Sequence, residues 1–257
     1  MNPTSVTILG SGTCVPSLKR SACAVLMEID TVKLLFDSGP GSMHRLLSAG
    51  IEIFDIDVLF YSHFHPDHTG ELVPLIFATK YPSSDRRKKP LTIVAGKGFH
   101  NFFNGLKDVY GDWLTLPEGL LHVIELSNTG PDQQSFKCFD VQTRPMKHRE
   151  ESIGYRVTDL HGKSMVYSGD TDVNDNLVSL AMNTNLLICE SAMPDDMKVP
   201  GHLTPSLAGD MATRARVKNL VLTHLYPECD QADLVKQCRK TYQGPLQIAE
   251  DLMRIEL

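Results

Sequence analysis

Within six consecutive residues the chain places three imidazoles and a carboxylate: His63, His65, Asp67 and His68, in Ser62-His63-Phe64-His65-Pro66-Asp67-His68. These are the nitrogen and oxygen donors that Zn²⁺ and similar divalent ions prefer. Alternate residues of an extended stretch face the same way, so His63 and His65 can turn toward one cation. Asp67 and His68 follow at the turn and can reach a second position. A solvated polar loop could carry the same residues, but a metal site requires further ligands elsewhere, and that requirement can be checked. Candidates are present: His148 in Met146-Lys147-His148-Arg149, Asp170 in Tyr167-Ser168-Gly169-Asp170-Thr171, and His224 in Val221-Leu222-Thr223-His224. Each stands where a predicted strand meets a loop. Taken singly, such residues are usually structural, an Asp after Ser-Gly being a common turn or cap residue. The set is what carries the signal.

The elements that must position these groups follow from periodicity and punctuation. Apolar, β-branched Ser5–Gly10 predicts a strand running into the turn Gly10-Ser11-Gly12. Ala22–Ile29 and Val32–Phe36 predict a strand pair about Asp30-Thr31, the second strand leading into Asp37-Ser38-Gly39-Pro40-Gly41 and a helix over Met43–Ala49. Asp57–Tyr61 predicts a short buried strand that delivers the histidine segment, and Gly70–Thr79 a helix after it. Further strands are expected at Pro90–Ala95, Leu120–Leu126, Phe136–Thr143, Ile153–Thr158 and Ser164–Tyr167, with a helix over Gly98–Val109. Then helices at Asn174–Met182, Thr204–Arg214 and Asp230–Lys240 alternate with strands at Leu186–Cys189 and Asn219–Leu222. Strands followed by strand–helix alternation imply sheets with helices packed outside them. No repeat or linker interrupts residues 1–257, so one domain is expected.

Composition narrows the classes. The 257 residues carry Lys+Arg 25 against Asp+Glu 31, a net charge of −6, which disfavours bulk affinity for a polyanion. No apolar run approaches the ~18 residues a membrane helix needs. The opening Met1-Asn2-Pro3-Thr4-Ser5 has no charged region followed by an apolar core, so no secretory signal is read. Cys14, Cys23, Cys138, Cys189, Cys229 and Cys238 are scattered with no Cys-x-x-Cys pair. They favour a reducing cytoplasm, with Cys189 a packed core thiol.

The order His-x-His-x-Asp-His, then His, then Gly-Asp-Thr, then His resembles the metallo-β-lactamase superfamily, and most closely its ribonuclease Z-like branch. Leu9-Gly10-Ser11-Gly12-Thr13-Cys14-Val15-Pro16-Ser17 is similar to that branch's opening turn, Leu34-Leu35-Phe36-Asp37-Ser38-Gly39 to its early Asp motif, and Pro90-Leu91-Thr92-Ile93 to the strand after the metal helix. The resemblance implies an α/β fold, the four-layer αββα sandwich of two mixed sheets with helices outside. It implies that His63, His65 and His148 hold one ion, that Asp67, His68 and His224 hold another, and that Asp170 bridges them. Asp37 would orient ligand imidazoles. Two divalent metal ions are expected, Zn²⁺ first, with Mn²⁺ or Fe compatible with the carboxylate share. Such a pair can hold a hydroxide at neutral pH and neutralise a phosphoryl oxygen. By the same resemblance, Asp67 would accept the proton of the water bridging the ions. His202, in Gly201-His202-Leu203-Thr204-Pro205, matches the His of a family His-Ser-Thr element that assists the leaving group. Leu203 replaces the Ser, so nothing is carried over there. Glu190 matches an acidic residue that could orient His202.

True ribonuclease Z inserts a long tRNA-gripping arm between its third His motif and its bridging Asp. Here the short interval from His148 to Asp170 is taken up by two predicted strands. The missing arm and the negative charge favour a phosphodiesterase acting on a small or cyclic nucleotide. Short, armless members of the branch include cyclic-nucleotide phosphodiesterases of the anti-Pycsar type, similar to this chain in size and motif order. The alternatives are tRNA 3′-end processing, with nucleic acid gripped by a partner subunit, a lactonase-type hydrolase, and a binding module that has lost its chemistry. The family resemblance also implies a homodimer. Arg86-Arg87-Lys88-Lys89 reads as a solvated basic loop, or else as an attractor of phosphorylated substrate. Phe103, Tyr110 and Trp113 read as core aromatics rather than as a base-stacking pocket.

Overall fold

Side chains along the apolar stretches alternate between two buried environments, the pattern of strands covered on both faces. The computed structural model describes residues 4–80 and 87–257. One sheet contains β1 (Ser5–Gly10), β2 (Ala24–Ile29), β3 (Val32–Phe36), β4 (Val58–Tyr61), β5 (Leu91–Gly96), β6 (Leu121–Leu126) and β14 (Met253–Glu256), in the order β14-β1-β2-β3-β4-β5-β6. The other contains β7 (Asp132–Ser135), β8 (Phe139–Pro145), β9 (Ile153–Asp159), β10 (Ser164–Tyr167), β11 (Leu186–Glu190), β12 (Leu220–Thr223) and β13 (Leu246–Ile248), in the order β13-β12-β11-β10-β9-β8-β7. Each sheet is mixed: β3, β4, β5 and β6 run parallel, as do β10, β11, β12 and β13, while the remaining pairings are antiparallel.

Alternate residues build the layers. Leu34, Phe36, Val58 and Phe60 meet Tyr155, Met165, Tyr167 and Ile188 between the sheets. Leu35, Leu59 and Tyr61 face outward onto α1 (Ser42–Ser48), α3 (Leu72–Lys80) and α4 (Phe99–Tyr110), through Leu46, Leu72, Leu75, Ile76, Phe99 and Phe103. On the opposite outer face Val166, Leu187 and Leu220 pack on α5 (Asp175–Leu180), α6 (Pro205–Arg214) and α7 (Leu234–Cys238). The result is the αββα sandwich expected from the sequence.

Several boundaries differ from the sequence reading. A one-turn α2 (Pro66–Thr69), opened by Pro66, carries Asp67 and His68 of the histidine segment and precedes α3. The helix expected over Asp230–Lys240 is a 3-10 turn over Pro227–Gln231 followed by α7, whose start is capped by Asp233 accepting from Lys236 N. The strand expected from Phe136 begins at Phe139, because a hairpin pairs it with β7, a polar strand that periodicity alone misses. Tyr110 and Trp113 are 45% and 54% exposed, so of the three aromatics assigned to the core only Phe103 belongs there. Arg86 lies outside the described residues. Arg87 is buried and donates to Ile53 O, Ile56 O and Lys89 O, and Lys89 pairs with Asp57 at 2.9 Å. These two cations hold the fold, and neither of the two sequence readings of the basic loop describes them. Among the described residues no helix is long and apolar enough to cross a membrane.

Candidate metal centre

Every candidate donor leaves the sandwich at the same edge, where strands of both sheets end. β4 ends at Tyr61, immediately before Ser62 and His63; β10 ends just before Ser168-Gly169-Asp170; β12 ends at Thr223, before His224. The β8–β9 connection carries His148, and β11 ends on Glu190. The carboxyl ends of parallel strands are where open α/β sheets generally bind ligands. Tight approach makes the geometry possible. A side chain at Gly39 would sit 2.1 Å from Asp67 O, and one at Gly169, which has φ 56°, would sit 2.5 Å from Ser62 Cβ. Asp37 and His224 adopt φ 56° and 58° without being glycine, a strained conformation of the sort that clusters at functional sites.

The donors fall into two groups about one carboxylate. His63 Nε2 and His148 Nε2 lie 3.0 and 3.2 Å from His65 Nδ1, and both lie 3.7 Å from Asp170 Oδ2. His68 Nε2 and His224 Nε2 each lie 3.4 Å from the other oxygen, Asp170 Oδ1, and 3.9 and 3.5 Å from Asp67 Oδ2. The structure therefore brings together all seven residues singled out in the sequence, and Asp170 turns one oxygen to each group.

The fit to divalent ions rests on the donors themselves. His68 Nε2, Asp170 Oδ1 and His224 Nε2 are buried with no hydrogen-bond partner among the described residues, although they face one another. Leaving such groups unsatisfied is costly, so they require an occupant. The three imidazole nitrogens of the other group are spaced close to the ~3.3 Å edge of a tetrahedron whose donors lie ~2.0 Å from zinc. Donors of this kind suit one cation in each group.

Neighbouring side chains fix which nitrogen is free. His68 Nδ1 donates to Asp37 Oδ2 at 2.7 Å, leaving Nε2 aimed at the site. Asp37 is fully buried and also accepts from Ser62 N and Ser62 Oγ, both at 2.8 Å, and from Tyr167 Oη at 2.7 Å. His148 Nδ1 donates instead to the carbonyl of Gly201 at 3.0 Å. Partners of this kind set ring orientation and ligand basicity. Of these, only Asp37 is signalled by a motif. Ser62 stands beside His63 but carries no metal-ligand signature, and Tyr167 and Gly201 act through contacts made only in the fold.

Electrostatics follows the same division. Burial holds the pKa of His63 and of His148 below the ordinary histidine value, which favours the neutral, ligating form. Burial also opposes charge on His68, but Asp170 and Asp37 outweigh it and raise its pKa well above that value. Burial raises the pKa of Asp170, and His224 and His68 more than offset this, keeping it well below the usual carboxylate range. Asp67, against the same burial penalty, is kept ionised by His224 and His68.

His202 lies beside this cluster. Its Nδ1 is 3.9 Å from Asp170 Oδ2 and 3.0 Å from Glu190 Oε1, and its ring stacks 5.5 Å from that of His224. Glu190 is 1% exposed and also accepts from the backbone N–H groups of Thr171, Ala192 and Leu203. Burial raises the Glu190 pKa, moderated by His202. Burial opposes protonation of His202, but its hydrogen bond to Glu190 raises its pKa overall. Leu203 is fully buried in the outer core, so the hydroxyl that the family places there is replaced by packing.

A family profile described as "Beta-lactamase superfamily domain" matches residues 33–225. An uncharacterized protein of Mycobacterium tuberculosis is 28% identical over 244 residues, covering 94% of this chain and 88% of its own length. Ribonuclease Z of Methanothermobacter thermautotrophicus is 25% identical over 301 residues, covering 98% of this chain and 96% of its own. That alignment is longer than this chain of 257 residues, so the relative carries segments that have no counterpart here. Among solved structures, the metallo-beta-lactamase fold protein YhfI from Bacillus subtilis superposes with a TM-score of 0.85 at 23% identity over the whole of both chains. Human tRNase Z, short form, superposes with a TM-score of 0.79 at 26% identity, covering 98% of each chain.

Proposed function

The chain belongs to the beta-lactamase superfamily, within its ribonuclease Z-like branch of metal-dependent hydrolases, and on that premise we propose that it is a binuclear phosphodiesterase acting on a small or cyclic nucleotide. The observation that carries the reading is the split of seven donors into two groups on either side of the Asp170 carboxylate. In this reading His63, His65 and His148 hold one ion, Asp67, His68 and His224 the other, with Asp170 between them. Such ions, Zn²⁺ in this reading, would bring a water molecule's pKa toward neutrality and offset charge on phosphoryl oxygens.

The chain's own groups supply the proton transfers. Asp67 is buried at the site and kept ionised by His224 and His68, so its carboxylate can take the proton from the attacking water. His202, held protonated by Glu190, gives a proton to the departing alkoxide while its Nδ1–H stays with Glu190 Oε1. A leaving group of high pKa needs that donation.

Two features support a small substrate. The tight turn between β9 and β10, from Asp159 to Ser164, occupies the interval where an arm would be inserted. The net charge of −6 disfavours the many phosphate contacts that tRNA binding draws on. The likeness to ribonuclease Z across nearly the whole chain favours the second reading, tRNA 3′-end processing. Incubating the protein with a panel of cyclic mononucleotides and with a 3′-extended tRNA precursor separates the two. Ring opening of a cyclic nucleotide with the precursor left intact is expected; cleavage of the precursor with no cyclic-nucleotide hydrolysis overturns the proposal.

A further inference from the structure

Two residues beyond Asp170, the side chain of Asp172 closes a ring of hydrogen bonds around the site. Its Oδ2 accepts from Gly201 N at 2.9 Å and from Lys198 Nζ at 3.1 Å. Its own N–H donates to Lys147 O at 2.9 Å, the residue before His148. Lys147 N in turn donates to Thr171 Oγ1 at 3.1 Å. The ring is completed by His148 Nδ1, which donates to the carbonyl of Gly201. Three segments far apart in sequence, around residues 147, 172 and 201, are thus tied at one point.

The consequence lies in the Gly201 peptide. Gly201 has φ 86°, and a Cβ there would sit 3.2 Å from His148 Nδ1, so the backbone passes directly against the imidazole. Asp172 anchors the N–H of this residue, and its carbonyl then takes the Nδ1–H of His148. That leaves His148 Nε2 facing His65 and Asp170 at 3.2 and 3.7 Å. The following residue is His202, so the same anchor sets where its ring meets Glu190.

We propose that Asp172 is a positioning residue of the metal centre, which by fixing the Gly201 peptide sets both the tautomer of His148 and the placement of His202. The proposal rests on reading the seven donors as a metal site. Without Asp172, the Gly201 carbonyl is held toward His148 by the backbone only through the long bond from His202 N to Val199 O, 3.3 Å, in its own peptide, and the group containing His63, His65 and His148 loosens while the group around His68 does not.

The test is competition for Zn²⁺ between the apo-protein and a chelating indicator, with kcat and KM for bis-p-nitrophenyl phosphate measured alongside. Asp172→Ala is expected to weaken one of the two zinc equivalents about 10- to 100-fold and to lower kcat more than it raises KM. Asp172→Asn keeps an oxygen for the Gly201 N–H and is expected to restore zinc affinity to within about threefold of the parent protein. Asp172→Ala binding both equivalents like the parent overturns the proposal, as does Asp172→Asn binding as weakly as Asp172→Ala. If Asp172→Ala does not fold, Gly201→Ala presses a methyl group against the same Nδ1 of His148 that the Gly201 carbonyl accepts from. It is expected to weaken the same single equivalent, and parent-like binding contradicts the proposal. A parent protein that binds two zinc ions but hydrolyses no phosphodiester refutes the functional reading, and the zinc arm still decides Asp172.

Discussion

The two sides of the candidate metal centre are buttressed differently. His68 leans on Asp37, a fully buried carboxylate that also accepts from Ser62 and Tyr167, and whose support therefore comes from between the sheets. His148 leans on the Gly201 carbonyl, part of a surface loop tied down by Asp172 and Lys198. The same task, holding Nδ1–H so that Nε2 faces inward, is done by the core on one side and by a loop on the other. Local stability differs in the same sense: elements with few buried contacts open first. The core-supported side is therefore the more rigid reference, and the loop side also carries His202.

The largest effect is expected at Asp37. Asp37→Ala strands the buried partners His68 Nδ1, Tyr167 Oη and Ser62 N, at a cost of roughly 3–5 kcal/mol. For a chain of this size that is a fall in Tm on the order of 10 °C, read by calorimetry together with loss of the ion on the His68 side. A stable Asp37→Ala protein that keeps both ions breaks the comparison. Next comes His202→Ala on the loop side, where stability should hold but kcat for an alkyl phosphodiester should fall about 10²–10⁴-fold. With a p-nitrophenolate leaving group, which departs unaided, the loss should shrink to a few-fold. Equal losses with both leaving groups would remove His202 from the acid role.

Both buttresses expose what can and cannot be read from the chain. His63, His65, Asp67 and His68 are legible because four donors crowd one segment, and His148, Asp170 and His224 because each stands where a predicted strand meets a loop. Tyr167 is not, since its hydroxyl reaches Asp37 across 130 residues and only the register of the two sheets brings them together. Asp172 and Gly201 look like ordinary turn residues until the loop is folded. The same holds for the fold. The buried central strands announce themselves by apolar runs, whereas Asp132-Gln133-Gln134-Ser135 pairs through its backbone at a sheet edge with no apolar face. Met253-Arg254-Ile255-Glu256 does alternate, but over too few residues to separate a strand from a tail.

Smaller effects sharpen the contrast. Tyr167→Phe removes one of the donors to Asp37, a hydrogen bond to a charged group that contributes roughly 1.5–3 kcal/mol. A fall in Tm of about 5 °C is expected with both ions retained, and no change in Tm would mean that the core support is redundant. Glu190→Gln turns an NH₂ toward buried N–H donors that now meet a carboxylate oxygen, so it should lower Tm by a few degrees and also act through pH. Glu190 raises the His202 pKa, so the acid form is present below that value and lost as pH rises through it. Removing the negative charge lowers that pKa, so the alkaline fall in kcat should begin at lower pH. A limb that does not move would assign the titration to another group.

The central claim is tested most directly by titrating metal-free protein with Zn²⁺ while following hydrolysis of bis-p-nitrophenyl phosphate and counting bound zinc. Two equivalents per chain, with activity completed only by the second and both affinities weakened in Asp170→Asn, is the expected result. A single equivalent giving full activity, or hydrolysis that persists in excess chelator, would contradict the account.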